Sequence, residues 1–309
     1  MREKVAVIGA GFVGTMTAQR IAEKNLADVV LVDIIEGVPQ GKALDMNHAA
    51  SLVEMEAAVQ GTNDFAEIRD SRVVVVTAGF PRMPGMSREE LAAKNGKIIQ
   101  SVVSRVREFA PECVLLIVTN PLDIMAYTAW KLSGFPARRV LGMGGVLDTA
   151  RYEFLLAREL GVSVRDIDAL VIGSHGDTMI PLVEYSRARG VPIKSLLPED
   201  RIEKILERTK NSGAEIVGLL KTGSAFHAPS ASAAAMVEAV LKDSGRLLAA
   251  SVLLEGQYGI RDVFIGAPIR LGADGVESIY EIVLSAAELQ AYRDSAAAIR
   301  QFLDKISAS

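Results

Sequence analysis

One cysteine, three histidines and a 5% share of aromatic residues mark what this 309-residue chain does without. With Cys113 alone, no disulfide can close within the chain, and a cysteine just before the apolar run VLLIVT reads as a small buried side chain. His48, His175 and His227 lie far apart, and no Cys or His pair stands at ligand spacing, so a zinc site is not expected. A net charge of −4 and few aromatic rings leave neither the basic footprint nor the stacking platforms that nucleic acid needs. No stretch reaches about eighteen uninterrupted apolar residues, the length a membrane span requires. The opening MREKVAVIGA turns apolar within four residues and then meets glycines, which does not read as a secretory signal. A cytoplasmic setting is the expectation.

Half of the residues are apolar, enough for a sizeable core without staples. The first half alternates short β-branched runs (5–10, 29–34, 73–79, 114–120) with helix-like segments (12–25, 41–53, 88–109, 121–133). Runs that are apolar throughout, rather than alternating, suit strands buried on both faces. The rhythm predicts an α/β fold, a doubly wound parallel sheet with helices on both faces. From about residue 145 the pattern changes. A helix over 147–160 ends at Gly161, and short strands follow near 168–172 and 178–186. Helices over 199–221 and SASAAAMVEAVLKD come next, then strands VLLEGQ, VFIGAPIRL and VESIYEI and an amphipathic helix over 285–307. The expectation is an N-terminal Rossmann domain, 1–145, followed by an α+β substrate or catalytic domain, 146–309.

Directly after the first strand comes VIGAGFVG, with Gly9, Gly11 and Gly14 in the spacing G-x-G-x-x-G. Glycines there permit a tight turn, close approach of backbone to a pyrophosphate, and packing of helix on strand. The helix that starts at Phe12 and Val13 offers free N–H groups and a partial positive charge to phosphates. Asp33 ends the second strand, nineteen residues after Gly14. A carboxylate at that point accepts from both ribose hydroxyls and repels a 2′-phosphate. Ile34, Ile35 and Glu36 supply no arginine to offset it, which favours NAD over NADP. The competing reading is a structural glycine turn beside a solvated aspartate.

Moving a hydride to or from a carbonyl requires a proton donor or acceptor at the oxygen. VIGSHGDTMIP places His175 at the end of an apolar strand. Taken alone, it reads equally as a structural histidine. LDTARY puts Asp148 and Arg151 three apart on one helical face. That spacing fits an ordinary intrahelical ion pair. Taken alone, that is the favoured reading; the functional alternative is a split use, with Asp148 holding the imidazole of His175 and raising its pKa, and Arg151 forking onto a carboxylate. GFPRMPGMSR carries Arg82 and Arg88 on a segment punctuated by Gly79, Pro81, Pro84 and Gly85. Either these are solvated loop charges, or the loop closes over negative oxygens.

Together VIGAGFVG, LVDI, GFPRMPGMSR, VTNPLD, LDTARY and GSHGDTMIP, in this order and spacing from about residue 2 to residue 305, resemble the lactate and malate dehydrogenases. The resemblance implies an NAD-dependent enzyme that interconverts (S)-malate and oxaloacetate. His175 is then the acid/base paired with Asp148, Arg151 the two-pronged partner of the C1 carboxylate, and Arg88 the group that polarises the reacting carbonyl. Asn120 hydrogen-bonds near the reacting oxygen and the cofactor, Ser224 in KTGSAFHAP lines the substrate pocket, and Asn95 and Val118 join the glycine loop and Asp33 at the cofactor. The position of Arg82 selects the substrate: relatives that act on lactate carry a neutral glutamine there, and an arginine gives a second carboxylate a partner. The alternatives are a lactate or other 2-hydroxyacid dehydrogenase on the same scaffold, or an NAD-binding protein without catalysis. The latter would leave the acid/base pair broken, and here Asp148, Arg151, His175, Arg88 and Asn120 are all present. Met83, where lysine is common among relatives, touches none of these roles. In this family the apolar face of helix 41–53 packs on a partner subunit, so the resemblance implies a homo-oligomer, a tetramer in preference to a dimer. Neither nucleic acid nor membrane is expected as a partner.

Overall fold

The computed structural model of the protein describes residues 2–81 and 85–307. In chain order these form β1 (Lys4–Ile8), α1 (Phe12–Glu23), β2 (Asp28–Val32), α2 (Val38–His48), β3 (Val59–Thr62), β4 (Val73–Val76), α3 (Arg88–Phe109), β5 (Val114–Ile117), α4 (Leu122–Ser133), β6 (Val140–Gly142) and α5 (Gly145–Leu160). There follow β7 (Ile167–Asp168), β8 (Val171–Gly173), β9 (Met179–Pro181), β10 (Arg187–Ala188), β11 (Val191–Pro192), α6 (Glu199–Leu220), α7 (His227–Leu241), β12 (Arg246–Glu255), β13 (Arg261–Gly272), β14 (Gly275–Ile279) and α8 (Ala286–Ser307).

The valine-rich runs become the buried middle of a parallel sheet in the order β3-β2-β1-β4-β5-β6. Every residue of β4 and β5 is buried, as the absence of alternation requires for strands covered on both faces. The order reverses between β1 and β4, and at such a switch point an open α/β sheet leaves a crevice beyond the carboxyl ends of its strands. Two of these strands differ from expectation. β3 (VQGT) and β6 (VLG) are too short and too poor in apolar residues to be read from the sequence, yet both pair in parallel. Helix α2 also starts earlier than read, at Val38, and its last turn gives way to irregular structure before residue 53. The strand anticipated over 178–186 shrinks to Met179–Pro181, followed by a single 3₁₀ turn.

The sheet does not stop at residue 142. β6 pairs antiparallel with β12 at Gly142 and Ser251, β12 forms a long antiparallel pair with β13, and β13 meets β8 at Gly266 and Gly173. One hydrophobic core accordingly runs from β1 through β13 to α7 and α8, while a smaller one sits beneath α5 and α6. Side chains also join the halves: Arg20 Nε donates to Ser230 Oγ at 3.1 Å, and Lys24 pairs with Glu238 at 2.8 Å. Among the described residues, no helix is long and apolar enough to cross a membrane.

β8 carries the chain into His175, so its seat on β13 matters. There a Cβ on Gly266 would stand 2.6 Å from the carbonyl oxygen of Gly173, a distance that cannot be accommodated without moving one strand. Gly266→Ala is expected to destabilise the protein by about 1–3 kcal/mol, the usual cost of overpacking, and to displace His175. Thermal unfolding of the variant against wild type checks the first, and its turnover rate the second.

Candidate active site

A cleft of about 590 Å³ runs from the N-terminus of α1 to His175. At its first end, Gly14 is demanded by packing: a Cβ there would lie 1.8 Å from the carbonyl oxygen of Gly9, itself at φ +105°. Gly11 is different. A Cβ on it meets nothing within 4 Å, so it faces open space at the head of the helix. No side chain caps α1, and no acidic residue occupies its first turn. The unsatisfied N–H groups of a helix start therefore face the cleft where Gly11, Phe12, Val13 and Gly14 line it, an arrangement that fits a pyrophosphate. Phe12 stacks on Phe226, with ring centroids 5.2 Å apart, and forms one wall.

Asp33 ends β2 with its carboxylate spread over the glycine loop. Oδ2 accepts from the N–H of Ala10 at 2.6 Å and Oδ1 from that of Ile35 at 3.0 Å. A carboxylate has about four acceptor positions, so two remain for ribose hydroxyls. Lys42, from α2, donates to the carbonyl of the same Ala10 at 2.5 Å. It is a cation beside the loop that the residues following Asp33 gave no reason to expect.

Val118 and Asn120 line the middle of the cleft after β5. Asn95 does not reach it directly. Fully buried in α3, it donates to the carbonyls of Asn120 (2.7 Å) and Phe80 (3.2 Å), and its Oδ1 accepts from Phe80 N–H at 2.8 Å. Its amide is thus taken up in holding the two loops that bound the cleft. Ser224 lines the far side, exposed.

At the second end, α5 starts at a close approach. A Cβ on Gly144 would lie 2.8 Å from Leu122 and 3.2 Å from the His175 side chain, and one on Gly145 would lie 2.5 Å from Ala249. Asp148 shares the buried stripe of α5 with Tyr152 and Leu155, at i, i+4 and i+7, which is why its carboxylate points inward. Its Oδ2 lies 2.8 Å from His175 Nδ1. Asp148 is only 2% exposed and the imidazole 17%, so the ring keeps one edge, with Nε2, open to the cleft. An ionised carboxylate accepts only, so Nδ1 carries the proton toward Asp148. Burial by itself depresses the pKa of His175. The charge and hydrogen bond of Asp148, with the charge of Asp123 behind, outweigh it and hold the group above its ordinary 6.5.

Arg151 lies over the same aspartate, Nη1 at a long 3.4 Å from Oδ1, while its buried Nε has no hydrogen-bond partner among the described residues. The intrahelical pair therefore engages one edge of the guanidinium only. Arg88 is the first residue of α3, set by a capping box in which Ser87 Oγ accepts from Glu90 N–H and Glu90 accepts from Ser87 N–H. It reaches Asp177, two residues beyond His175, at 2.6 Å, and both are largely exposed. Arg82, Met83 and Pro84 lie outside the described residues, and the expectations placed on Arg82 and Pro84 lie there with them. No group of three or more His, Cys, Asp or Glu side chains among the described residues is arranged to hold a metal.

With this geometry in place, comparison with known proteins is decisive. Residues 3–142 match the lactate/malate dehydrogenase NAD-binding domain, and residues 145–309 the α/β C-terminal domain of the same family. This chain belongs to the lactate/malate dehydrogenase family. A malate dehydrogenase of Pelodictyon phaeoclathratiforme is 52% identical over 96% of both chains. Among solved structures, a malate dehydrogenase of Cryptosporidium parvum is similar with a TM-score of 0.97 and 42% identity over the whole of both chains. The lactate dehydrogenase of that organism, complexed with lactic acid and nicotinamide adenine dinucleotide, gives the same TM-score at 38% identity, covering 100% of this chain and 99% of that one. Sequence reasoning missed several residues that contact the site: Asp123 and Ser251 behind His175, Asp177 beside Arg88, and Lys42 at the glycine loop.

The proton held by His175 has a consequence for stability. Because its folded pKa lies above the unfolded value, its contribution is complete below pH 6.5 and is lost as pH rises through the folded value. Asp148→Asn removes that contribution. The unfolding free energy of wild type should exceed that of the variant by most near pH 6, and by progressively less toward pH 9, in denaturant titrations. Glu153, pushed up to about 7 by burial, adds a dependence of the same sign to both proteins.

Proposed function

We propose that this chain is an NAD-dependent malate dehydrogenase, interconverting (S)-malate and oxaloacetate. The observation that carries the reading is the 2.8 Å contact between Asp148 and His175, in one cleft with the uncapped start of α1. Relatives named malate dehydrogenase, 52% identical over nearly the full length, support it.

In oxidation, Nε2 of His175 takes the hydroxyl proton of malate, and Asp148 stabilises the imidazolium that results. NAD, which the glycine loop, Asp33 and Asn120 would hold, would supply the hydride acceptor or donor for C2. Arg151 holds the C1 carboxylate through the donors that Asp148 leaves free. Arg88, exchanging Asp177 for substrate, polarises the carbonyl, and Asn120 orients it from the cofactor side. Reduction runs through the same groups, with His175 protonated at the start. The raised pKa of His175 suits that direction near neutral pH. Ser224 completes the pocket wall, and Asp33 accepts from the adenosine ribose. The chain divides in this reading into a cofactor-binding half, 1–145, and a substrate half, 146–309. A cytoplasmic homo-oligomer, a tetramer before a dimer, goes with it. Leu44 on α2 and Leu52 just beyond it, 56% and 84% exposed, are the apolar surface a second copy would cover.

Backbone similarity alone does not separate lactate from malate as substrate, since one structure of each kind fits with a TM-score of 0.97. The choice rests on Arg82. Pro81, immediately before it, lines the cleft. A dicarboxylate's second charge needs a partner there, because an unpaired buried charge costs roughly 3–5 kcal/mol.

Purified protein offered NADH should oxidise it rapidly with oxaloacetate and slowly with pyruvate, and NADPH should serve poorly. Arg82→Gln should lower kcat/KM for oxaloacetate by about 100-fold or more, from the same energies. A wild-type preference for pyruvate would sink the malate reading, and unchanged oxaloacetate turnover in the variant would remove Arg82 as selector.

A further inference from the structure

Behind His175 stands a second buried carboxylate that the reaction above does not use. Asp123 is the second residue of α4 and is 5% exposed. An aspartate at the start of a helix usually caps its own N–H groups or faces water. This one does neither. Its Oδ2 accepts from the backbone N–H of His175 at 2.9 Å, and its Oδ1 accepts from Ser251 Oγ, in the middle of β12, at 2.6 Å. Both partners are far away in sequence, and both lie in the C-terminal half. One side chain of the N-terminal half thus fixes the backbone of the acid/base residue, and a strand hydroxyl fixes that side chain.

We propose that Asp123, with Ser251, is a positioning residue for His175: its carboxylate sets the main chain of the histidine while Asp148 sets the ring. The inference rests on His175 being the acid/base of the proposed reaction. Restraint of one atom is not enough for this residue. Asp148 fixes Nδ1, but a ring can pivot about that bond, and the direction of Nε2 then follows from where Cα is held. β8, which leads into His175, is anchored to β13 only through Gly173 and Gly266. Beyond it, Ser174 N–H donates to Ser295 of α8 at 3.2 Å. Asp123 supplies the restraint at the histidine itself.

The same carboxylate brings a second negative charge to the imidazole. The charged groups facing His175 are Asp148 and Arg151 from α5 and Asp123 from α4, with the Arg88–Asp177 pair at the mouth of the cleft. Burial pushes the Asp123 carboxyl up to about 6, against the pull of Ser251 and His175, so it carries its charge above that pH.

Two substitutions separate position from charge. In Asp123→Asn the amide oxygen still accepts from His175 N–H, and the amide nitrogen donates to Ser251, whose hydroxyl has free lone pairs. The clamp survives and the charge is gone. In Asp123→Ala both are gone. Asp123→Ala should lose more than about tenfold in kcat with little change in the KM for malate, since sub-ångström misplacement of a reacting group has that scale of effect. Asp123→Asn should stay within about tenfold of wild type. Its acid limb for malate oxidation should shift to lower pH, because a neutral imidazole is reached earlier when one anion is removed. The ring-proton resonance of His175 in the protein without cofactor, where His48 and His227 are the chain's other histidines, should titrate lower by the same direction.

Equal kcat losses in the two variants, a full-rate Asp123→Ala, or an unmoved His175 titration in Asp123→Asn would each overturn the proposal. If Asp123→Ala does not fold, Asp123→Asn decides alone: a loss beyond about tenfold, or no shift in titration, counts against it. Wild-type turnover of oxaloacetate with NADH is measured alongside. Failure there defeats the malate reading itself, whereas failure of the clamp shows only in the variants.

Discussion

Two carboxylates converge on one residue. Asp148 takes the ring of His175 and Asp123 its peptide nitrogen, both nearly shielded from water. Buried charges are tolerated only when paired or hydrogen-bonded, and the cost of leaving either unpaired is several kcal/mol. The surrounding fold is shaped by that requirement. Gly144 and Gly145 let α5 begin against α4, β12 and His175 at distances where no Cβ fits. The buried stripe of α5 turns Asp148 inward, and the sheet runs on past β6 so that Ser251 stands beneath Asp123. If α4 separated from β12 and the His175 turn, the Asp123 carboxylate would lose both of its partners together. The junction between the halves is therefore held by the same groups that hold the histidine.

The two ends of the cleft are built by different means. At the nucleotide end the work falls to backbone: glycines that allow close approach, a helix start without a cap, and peptide groups of Ala10 gripped by Asp33 and Lys42. Such a surface recognises phosphate and ribose, which differ little from one nucleotide cofactor to the next. At the substrate end the groups are side chains drawn from α3, α5 and the turn after β8. Arg88, with Asp177, stands at the mouth of the cleft, and the buried carboxylates Asp148 and Asp123 stand against the histidine. That separation matters, since an anion raises the proton affinity of the imidazole while cations attract the carboxylates of a substrate.

The same division explains what was legible in the sequence. Strands β1, β2, β4 and β5 announce themselves because a parallel sheet covered on both faces requires unbroken apolar runs. Strands β3 and β6 do not, because at three or four residues their identity comes from neighbouring strands rather than from their own composition. The glycine loop is readable because its reason is local. The pairing of His175 with Asp148 could be raised from the residues but was decided only by resemblance, since both residue types fit ordinary structural uses. Asp123 lay in plain view in VTNPLD, but a helix-start aspartate has a sufficient local explanation, and its partners lie 52 and 128 residues away. Long-range hydrogen bonds leave no local pattern.

That lactate and malate dehydrogenases both superimpose closely on this chain follows from where the chemistry is kept. In this chain the His175–Asp148 pair is buried and fixed by elements from both halves, so changing it costs stability. The substrates differ by one carboxylate at the end distant from C1. Discriminating between them requires a change of charge at one place on the cleft wall, and the segment Gly79–Pro81 that leads to Arg82 is such a wall. In the proposed reading a cation there meets the second carboxylate, whereas a neutral residue would leave it unpaired, at an energy large enough to decide the preference. In the proposed reading, selection at Arg82 and catalysis at the buried His175 can change independently, which is compatible with a backbone match of 0.97 to a structure of either kind.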